Sequence, residues 1–273
     1  MVSLSQRTVT SLALIGAGLG VVLMAVRSFY AFSFTEPLQL MTSGAEYESL
    51  YVIWKYVHGL TVYADHTRIP FAGTFYNWFY YVFYGEITGL ILSALSLGDA
   101  WLPTITRLIT ATGIVYGTWI AAKLFMEFPG AGHENLKRLG FAFALLIFFG
   151  PMMGFFGIAT QPDIWGFAFD VTALYVFLRL FERRPLMGIV LFWLFAYLAW
   201  SFKQIFVFST GTVGLFLLLR HDWKMLGALI ALSCFGWGVT LALGTPQYMK
   251  TIVSFGGSTV WLAGSQLFRN LGN

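Results

Sequence analysis

The stretch YNWFYYVFYGEITGLILSALSL, residues 76–97, decides the fold of this chain, because the side of a membrane on which every later loop lies depends on whether this stretch crosses it. Its first half, Tyr76 to Glu86, is rich in Tyr, Phe and Trp, which is typical of the interface between a bilayer and water. Only its second half, Gly89 to Leu97, is mostly aliphatic. We therefore predict that the segment lies along the membrane surface or enters the membrane only as a shallow re-entrant element.

The composition of the whole chain indicates an integral membrane protein. Of the 273 residues, 58% are hydrophobic and 10% are charged, and the mean hydropathy is +0.74. Helices are the expected spanning element, since they satisfy their own backbone hydrogen bonds. At ~20 residues per crossing, the length leaves no room for a large soluble domain. The net charge of +4 is ordinary for cationic residues that flank membrane helices, so we expect no nucleic-acid partner.

Apolar runs bounded by charges, Pro or Gly predict seven membrane crossings. They lie near residues 8–30, 102–124, 139–158, 164–181, 186–202, 204–219 and 225–243. If 76–97 does not cross, the later clusters of Lys and Arg all lie in the cytoplasm, as the positive-inside bias favours. The predicted fold is an all-α integral membrane protein of about seven transmembrane helices, a single module over residues 1–273. Its long first extracytoplasmic loop, about 34–100, carries juxtamembrane helices.

This topology gathers polar residues on the non-cytoplasmic side of the membrane. They are Glu46, Glu48, Asp65, His66, Arg68, Asp163 and Lys203. Within the long loop, Ser43 or Thr42 is predicted to cap a helix that begins near Gly44. An apolar stripe on that helix predicts that it lies on the membrane as an amphipathic helix; the stripe consists of Leu50, Ile53, Trp54 and Val57.

Three carboxylates and two cations are candidates for chemistry. Glu46 and Glu48 lie about 200° apart on a helix, so at most one of them faces a shared site. The helix dipole, which favours acidic residues in a first turn, explains either one equally well. Asp163 is a site residue or simply the cap of the helix that it opens. Lys203 and Arg68 suit phosphate oxygens, although snorkelling to the headgroups also explains Lys203 and simple hydration also explains Arg68.

Asp170 lies seven residues after Asp163 and hence about 10 Å deeper on the same helical face. An ionisable group at that depth in a membrane needs a partner or water. We expect a cation or a polar group of a neighbouring helix to be that partner, with Lys203 and Arg107 as candidates.

Three stretches of the sequence together resemble one known family. They are Gly44–Tyr51 leading into residues 54–65, the pattern Pro70-Phe-x4-Tyr76-Asn-Trp78 with the aromatic residues that follow, and Gln161-Pro-Asp163 at the start of a helix, with Lys203-Gln204 as a weaker fourth. In combination they are similar to the GT-C superfamily of polytopic membrane glycosyltransferases. The resemblance is strongest to the branch that contains protein O-mannosyltransferases, aminoarabinose transferases and lipid A core galacturonosyltransferases.

The resemblance implies roles for the candidate residues. The acidic residue of the first loop that acts as catalytic base in that family corresponds to Glu46, with Glu48 as the rival. The Asp at the head of a later helix corresponds to Asp163, and Lys203 or Arg68 would lie near the donor phosphate. A divalent metal ion, if one takes part, would be held by Glu46 and Asp163. Family members continue with further helices and often a soluble domain, so the chain corresponds to the N-terminal module of that architecture.

The expected function is therefore transfer of a hexosyl or pentosyl group, with inversion, from a polyprenyl-phosphate sugar to a hydroxyl of a lipid or glycan acceptor. We expect the protein to lie among the lipids of a bacterial inner membrane with its site facing outwards. Two alternatives stay open: a catalytically silent scaffold or fragment that needs a partner, and a transporter. Asp170 and the glycine-containing helices prompt the transporter, but the sequence has no apparent inverted halves.

Overall fold

The computed structural model describes residues 6–33, 44–64, 74–127, 134–150 and 154–255. Within these residues all regular secondary structure is helical. The longer helices are α1 (Gln6–Ser33), α2 (Ala45–Val57), α3 (Trp78–Ala94), α4 (Leu102–Met126), α5 (Glu134–Phe149), α6 (Asp163–Leu180), α7 (Pro185–Phe202), α8 (Phe208–Leu219) and α9 (Trp223–Leu243). Shorter helical turns cover Asp99–Trp101, Gly154–Gly157, Pro246–Met249 and Lys250–Phe255.

Four helical segments in the described part of the chain are long and apolar enough to cross a membrane. They are Arg7–Ser33, Asp99–Met126, Pro185–Phe202 and Trp223–Leu243. Large apolar side chains on these helices face outwards, as at Ile15 and Leu19, each 61% exposed. Such surfaces suit contact with lipid rather than with water. The prediction of an all-α integral membrane protein is confirmed at this level.

The apolar runs of the sequence each coincide with a helix, namely α1 and α4 to α9. The boundaries differ by a few residues at several helix ends, and the largest difference is at the end of α5, which stops at Phe149 rather than near residue 158. The chain continues with Gly150 and Pro151. Proline lacks a backbone N–H and disfavours helical dihedrals in the residue before it, so the helix ends there.

Helices α4 and α6 lie side by side and run in the same direction. Near their beginnings, the indole N–H of Trp165 donates to the carbonyl oxygen of Ile109 at 2.9 Å. Near their ends, Arg179 pairs with Glu127, with 3.2 Å between the guanidinium nitrogen and the carboxylate oxygen. The end of the bundle at which α4 and α6 begin is called the polar end below.

Helix α5 packs against both α1 and α4. It meets α4 through a glycine, since a Cβ atom added at Gly117 would lie 2.1 Å from the ring of Phe148. On its other side, Arg27 of α1 donates to the carbonyl oxygen of Gly150 at 3.1 Å. The close approach of α4 and α5 therefore requires a residue without a side chain at position 117.

Helix α7 packs against α6 and α9, and α8 completes this half of the bundle. Their shared core contains Phe177 and Phe192, with Leu217 of α8 fully buried beside them. Asp170 of α6 accepts a hydrogen bond from the hydroxyl of Ser209 at the start of α8. The expectation of a polar partner from a neighbouring helix is therefore confirmed. Neither candidate is that partner, since Lys203 pairs with Asp163 and Arg107 with Glu46.

Helix α3 is joined to the bundle at the polar end. Asn77, which caps α3 by accepting from the N–H of Trp78 at 2.9 Å, also donates through its amide to the carbonyl oxygen of Trp200 at 3.0 Å. Its backbone N–H donates to Phe202, the last residue of α7, at 3.3 Å. After α3, Asp99 accepts from the indole N–H of Trp54 in α2 at 2.7 Å. Both ends of the segment 76–97 are thus tied to neighbouring helices, one to α7 and one to α2.

Helix α2 is more buried than an amphipathic surface helix would be. Leu50 and Ile53 of the predicted stripe are buried, but the polar residues Glu46, Ser49 and Lys55 are buried as well. The helix packs between α3 and the start of α4, so both of these neighbours cover its surface. The structure therefore differs from a simple amphipathic helix, because polar as well as apolar side chains of α2 are buried; that α2 lies along the membrane stays a prediction. Its N-cap also differs, since Gly44 occupies that position with a φ of 81° and no side-chain cap; Ser43 and Thr42 lie outside the described residues.

Candidate functional site

Glu46 is held in an ion pair with Arg107 of α4. The Nε and Nη2 atoms of the guanidinium donate to the two carboxylate oxygens at 3.0 and 2.8 Å, and both side chains are 0% exposed. The backbone N–H of Thr160 adds a third donor to Glu46 at 2.9 Å, and Arg107 also donates to the carbonyl oxygen of Ala31 at the end of α1. Both oxygens of Glu46 thus accept hydrogen bonds inside the protein, which does not suit a base that must meet an acceptor hydroxyl.

Glu48 occupies a different position on α2. It is half-buried, and it faces Tyr81 of α3 closely enough for its charge to act on that phenol. Burial raises the pKa of Tyr81 well above its ordinary value, and the negative charge of Glu48 adds to that rise. Tyr81 therefore stays protonated as a neutral neighbour. Of the two glutamates, Glu48 is the one with access to solvent.

Asp163 and Lys203 are brought together at the polar end. The ammonium nitrogen of Lys203 lies 2.7 Å from the Oδ1 atom of Asp163. The side chain of Lys203 is 24% exposed and that of Asp163 is 22% exposed. The Oδ2 atom of Asp163 is buried and has no hydrogen-bond partner within the described part of the chain. The same ammonium lies 5.6 Å from the ring centroid of Tyr76. Lys203 is thus a partly exposed cation that lies over the face of an aromatic ring.

A network of tyrosines links these charged groups. The hydroxyl of Tyr76 donates to the side chain of Gln161 at 2.6 Å, and Gln161 donates onwards to Ser49 of α2 at 3.3 Å. The hydroxyl of Tyr81 accepts from the backbone N–H of Tyr76 at 3.4 Å. The hydroxyl of Tyr80 donates to the carbonyl oxygen of Thr160 at 3.0 Å. We call Glu48, Tyr76, Tyr81, Asp163 and Lys203 the polar site.

Sequence reasoning missed several of these residues. The aromatic composition of the segment predicts that the tyrosines at positions 80, 81 and 84 belong to an interfacial aromatic belt, but they are at most 1% exposed. Their spacing, by one and then three residues, offered little signal, although a buried tyrosine generally needs a partner for its hydroxyl. Arg107 offered a clearer one, since a cation inside an apolar helix implies a buried acidic partner. Nothing in the sequence pattern singled out Gln161 as a bridge.

Three of the other predicted polar residues cannot be located, and the two carboxylates proposed for a metal ion can. Arg68, Asp65 and His66 lie outside the described residues. Glu46 pairs with Arg107 and Asp163 pairs with Lys203, so each of the two carboxylates proposed for a metal ion has a cation of its own in this structure. Among the described residues, no three His, Cys, Asp or Glu side chains lie close enough together to hold a metal ion.

A cavity of about 540 Å³ adjoins the polar site. It is lined by Tyr63, Trp78, Tyr197, Val239, Thr240, Leu243, Gly244, Thr245 and Tyr248. Its wall connects to the polar site directly, because the hydroxyl of Tyr63 donates to the carbonyl oxygen of Tyr76 at 2.8 Å. The volume lies within the range of small-molecule pockets, roughly 300–1,000 Å³, and its mostly apolar walls suit a hydrophobic group.

Comparison of the chain with protein-family models, with curated proteins and with solved structures finds no match.

Proposed function

We propose that the chain is an integral-membrane glycosyltransferase, which transfers a sugar from a polyprenyl-phosphate donor to an acceptor hydroxyl at the polar end of the bundle. One observation carries the proposal: a partly exposed Lys203–Asp163 pair and the half-buried Glu48 lie around Tyr76 and Tyr81, beside a cavity with apolar walls. A lipid-linked sugar has this mixed character, with an apolar chain and a charged, sugar-bearing head. The similarity of the motifs to the GT-C superfamily supports the same function.

The proposed topology has seven membrane spans, α1 and α4 to α9, with α2 and α3 at the extracytoplasmic surface. It is supported by the contacts of Asn77 with α7 and of Asp99 with α2. Since α7 ends and α4 begins at the polar end, both ends of α3 lie at that same end of the bundle. It is also supported by charge, since the opposite end of the bundle carries Arg179, Arg183, Arg184, Arg220 and Lys224. Cations of this kind favour the cytoplasmic side. In a bacterium, this arrangement would put the site on the outer face of the inner membrane.

In the proposed reaction Glu48 acts as general base. Its carboxylate takes the proton of the acceptor hydroxyl as the acceptor oxygen attacks the anomeric carbon of the sugar. The bond from that carbon to the phosphate oxygen breaks, and polyprenyl phosphate leaves with the bonding electrons. A single direct displacement inverts the anomeric configuration. We assign this role to Glu48 rather than Glu46, because both oxygens of Glu46 are taken up by Arg107.

Lys203 and Asp163 serve the leaving group in this proposal. The Lys203 ammonium can approach the donor phosphate and offset the charge that develops on it. Asp163 holds that ammonium in place through Oδ1. Because phosphate is already a good leaving group, the reaction needs no separate acid, unlike that of most glycosidases.

The test is a release assay with the full-length protein in lipid nanodiscs and a mixture of polyprenyl-phosphate sugars. We expect polyprenyl phosphate to be released by the wild type and Glu48→Gln to lower the rate by about 10²-fold or more, since general bases contribute ~10²–10⁴-fold. Glu182→Gln is the matched control, because Glu182 pairs with Arg220 in an exposed ion pair near the end of α6, away from the polar site. Equal rates for both variants would remove Glu48 from the mechanism. No release from any donor by the wild type would favour a silent scaffold.

A further inference from the structure

An aromatic row runs along one face of α2, outside the polar site. Tyr47, Tyr51, Trp54 and His58 follow at intervals of four, three and four residues, which places them on one side of a helix. The rings of Tyr51 and Trp54 are parallel to within 8°, with their centroids 5.8 Å apart. The ring of His58 lies 4.5 Å from that of Trp54, and Tyr47 is 52% exposed. The row therefore presents a broad aromatic surface.

Asp99 stands at the edge of this row, in the turn that precedes α4. Its Oδ2 atom accepts a hydrogen bond from the indole N–H of Trp54 at 2.7 Å and lies 3.4 Å from the Nε2 atom of His58. Both contacts fix the carboxylate through one oxygen, and its side chain is 54% exposed. The other oxygen, Oδ1, is thus left as an acceptor beside the aromatic rings.

A shallow cavity of about 200 Å³ lies between the row and the start of α4. It is lined by Tyr47, Leu50, Tyr51, Trp54, Asp99, Leu102 and Pro103. We call this cavity, with its aromatic row and Asp99, the α2 shelf. It combines flat apolar faces with one oriented hydrogen-bond acceptor.

Anchoring at the membrane surface does not account for this arrangement. A tryptophan that anchors a protein in the headgroup region keeps its ring in the lipid and its N–H towards the wetter side. Here the N–H of Trp54 is instead used to orient a carboxylate. A carboxylate held at the rim of an apolar surface is costly in lipid, and here it presents an oriented acceptor at the edge of the aromatic faces.

We propose that the α2 shelf binds a sugar ring. The C–H face of a pyranose would lie against Tyr51 or Trp54, because the electron-rich face of an aromatic ring attracts such C–H groups. A ring hydroxyl would donate to Oδ1 of Asp99. An ammonium headgroup fits less well, because it is held best where aromatic rings enclose it, whereas these two rings are parallel.

The shelf also bears on the acceptor of the proposed transfer reaction. Tyr47 and Glu48 both lie in the first turn of α2, although on different faces, so a glycan that extends past the N-terminal end of the row would come near the proposed base. The identification of the bound sugar as part of the acceptor rests on the proposed function. Binding of the sugar ring itself does not.

The test is saturation-transfer NMR of the full chain in nanodiscs with the methyl glycosides of glucose, galactose, mannose and N-acetylglucosamine, and with phosphocholine as a competing probe. We expect saturable binding of at least one glycoside, with transfer to its ring C–H protons. Asp99→Asn, which preserves shape, should weaken binding about tenfold or more, in line with the value of a charged hydrogen bond. Tyr51→Leu should weaken it as well.

Trp101→Leu is the matched control, because Trp101 is 51% exposed beside Asp99 but does not line the cavity. Absence of saturable binding to any glycoside would overturn the proposal, as would binding that Asp99→Asn and Tyr51→Leu leave unchanged. Preferential binding of phosphocholine would replace it with an ammonium site. The NMR sample contains no lipid donor, so sugar binding is measured independently of transfer. Glycoside binding here, together with no polyprenyl-phosphate release in the separate release assay, would contradict the proposed function alone.

Discussion

Glu46 and Arg107 face each other with no exposed surface on either side chain. Removing two charges from water is expensive, and the mutual attraction repays the cost only when the geometry is good and the other polar atoms are satisfied. Here the carboxylate has three donors, and the guanidinium also binds a carbonyl oxygen of α1. The pair therefore joins α1, α2, α4 and the segment before α6 at one point.

Arg107→Met should destabilise the protein by about 3–5 kcal/mol, because it leaves the charge of Glu46 buried without a partner. Glu46→Gln should destabilise in the same direction by leaving the guanidinium uncompensated. The measurement is the thermal unfolding midpoint in detergent, with the exposed pair variant Glu182→Gln as control. The double variant Glu46→Leu with Arg107→Met should recover part of the loss. An unchanged midpoint for Glu46→Gln would contradict the structural role.

Lys203→Met should slow sugar transfer by ~10²–10³-fold, the usual cost of losing one group that stabilises developing charge. Some stability should also be lost, because Asp163 is only 22% exposed and loses its cation, so the rates are compared well below the unfolding midpoint of each variant. Lys203→Arg, which keeps the charge, is the control and should retain more activity. The assay is polyprenyl-phosphate release together with the unfolding midpoint. Full activity in Lys203→Met would show that the donor phosphate does not need this cation.

At the scale of helices, glycines set how closely the bundle packs. Gly117 is buried under the ring of Phe148, whereas at Gly18 of α1 an added Cβ would meet no atom of another described segment within 4 Å. The two positions are therefore a natural comparison between a crowded and an open helical glycine.

Gly117→Ala should destabilise the protein by ~1–3 kcal/mol, as overpacking of a well-filled interface does. Gly18→Ala should be neutral or slightly stabilising, since alanine reduces the freedom of the unfolded chain. Unfolding midpoints of the two variants in the same detergent give the comparison. Adding Phe148→Leu to Gly117→Ala should restore part of the loss. Equal midpoints for the two glycine variants would mean that α4 and α5 are not in contact at this point.

At the scale of the whole molecule, the direction of the bundle in the membrane governs which residues share a compartment. If α3 does not cross, Ala100 lies on the outer side of the membrane and Arg183 on the cytoplasmic side. Both residues are exposed. If α3 crosses, Arg183 and the later cations move to the outer side, against the positive-inside bias.

Cysteine labelling tests this topology in intact cells. In a Cys234→Ser background, which removes the single native thiol, Ala100→Cys should react with a membrane-impermeant maleimide added from outside. Arg183→Cys should react only after the cells are opened. External labelling of Arg183→Cys would reverse the orientation, and the proposed site would then face the cytoplasm.

The sequence by itself determined the membrane character, the helical class and the position of nearly every long helix. These properties are local, because hydropathy over about 20 residues and the effect of Pro or Gly at an end depend only on neighbours along the chain. The convergence of Asp163 and Lys203 was also foreseeable, since both stand where an apolar run meets polar residues.

Only the tertiary structure decided which glutamate is buried, which partner Asp170 takes and how the tyrosines of α3 are used. Each of these depends on groups distant in the chain, such as Arg107, 61 residues from Glu46, and Ser209, 39 residues from Asp170. The pattern of α2 predicted one buried face, but α3 and α4 cover it from two sides. Burial of a polar side chain is favourable only where another segment supplies its partner, and a one-dimensional pattern does not specify that segment.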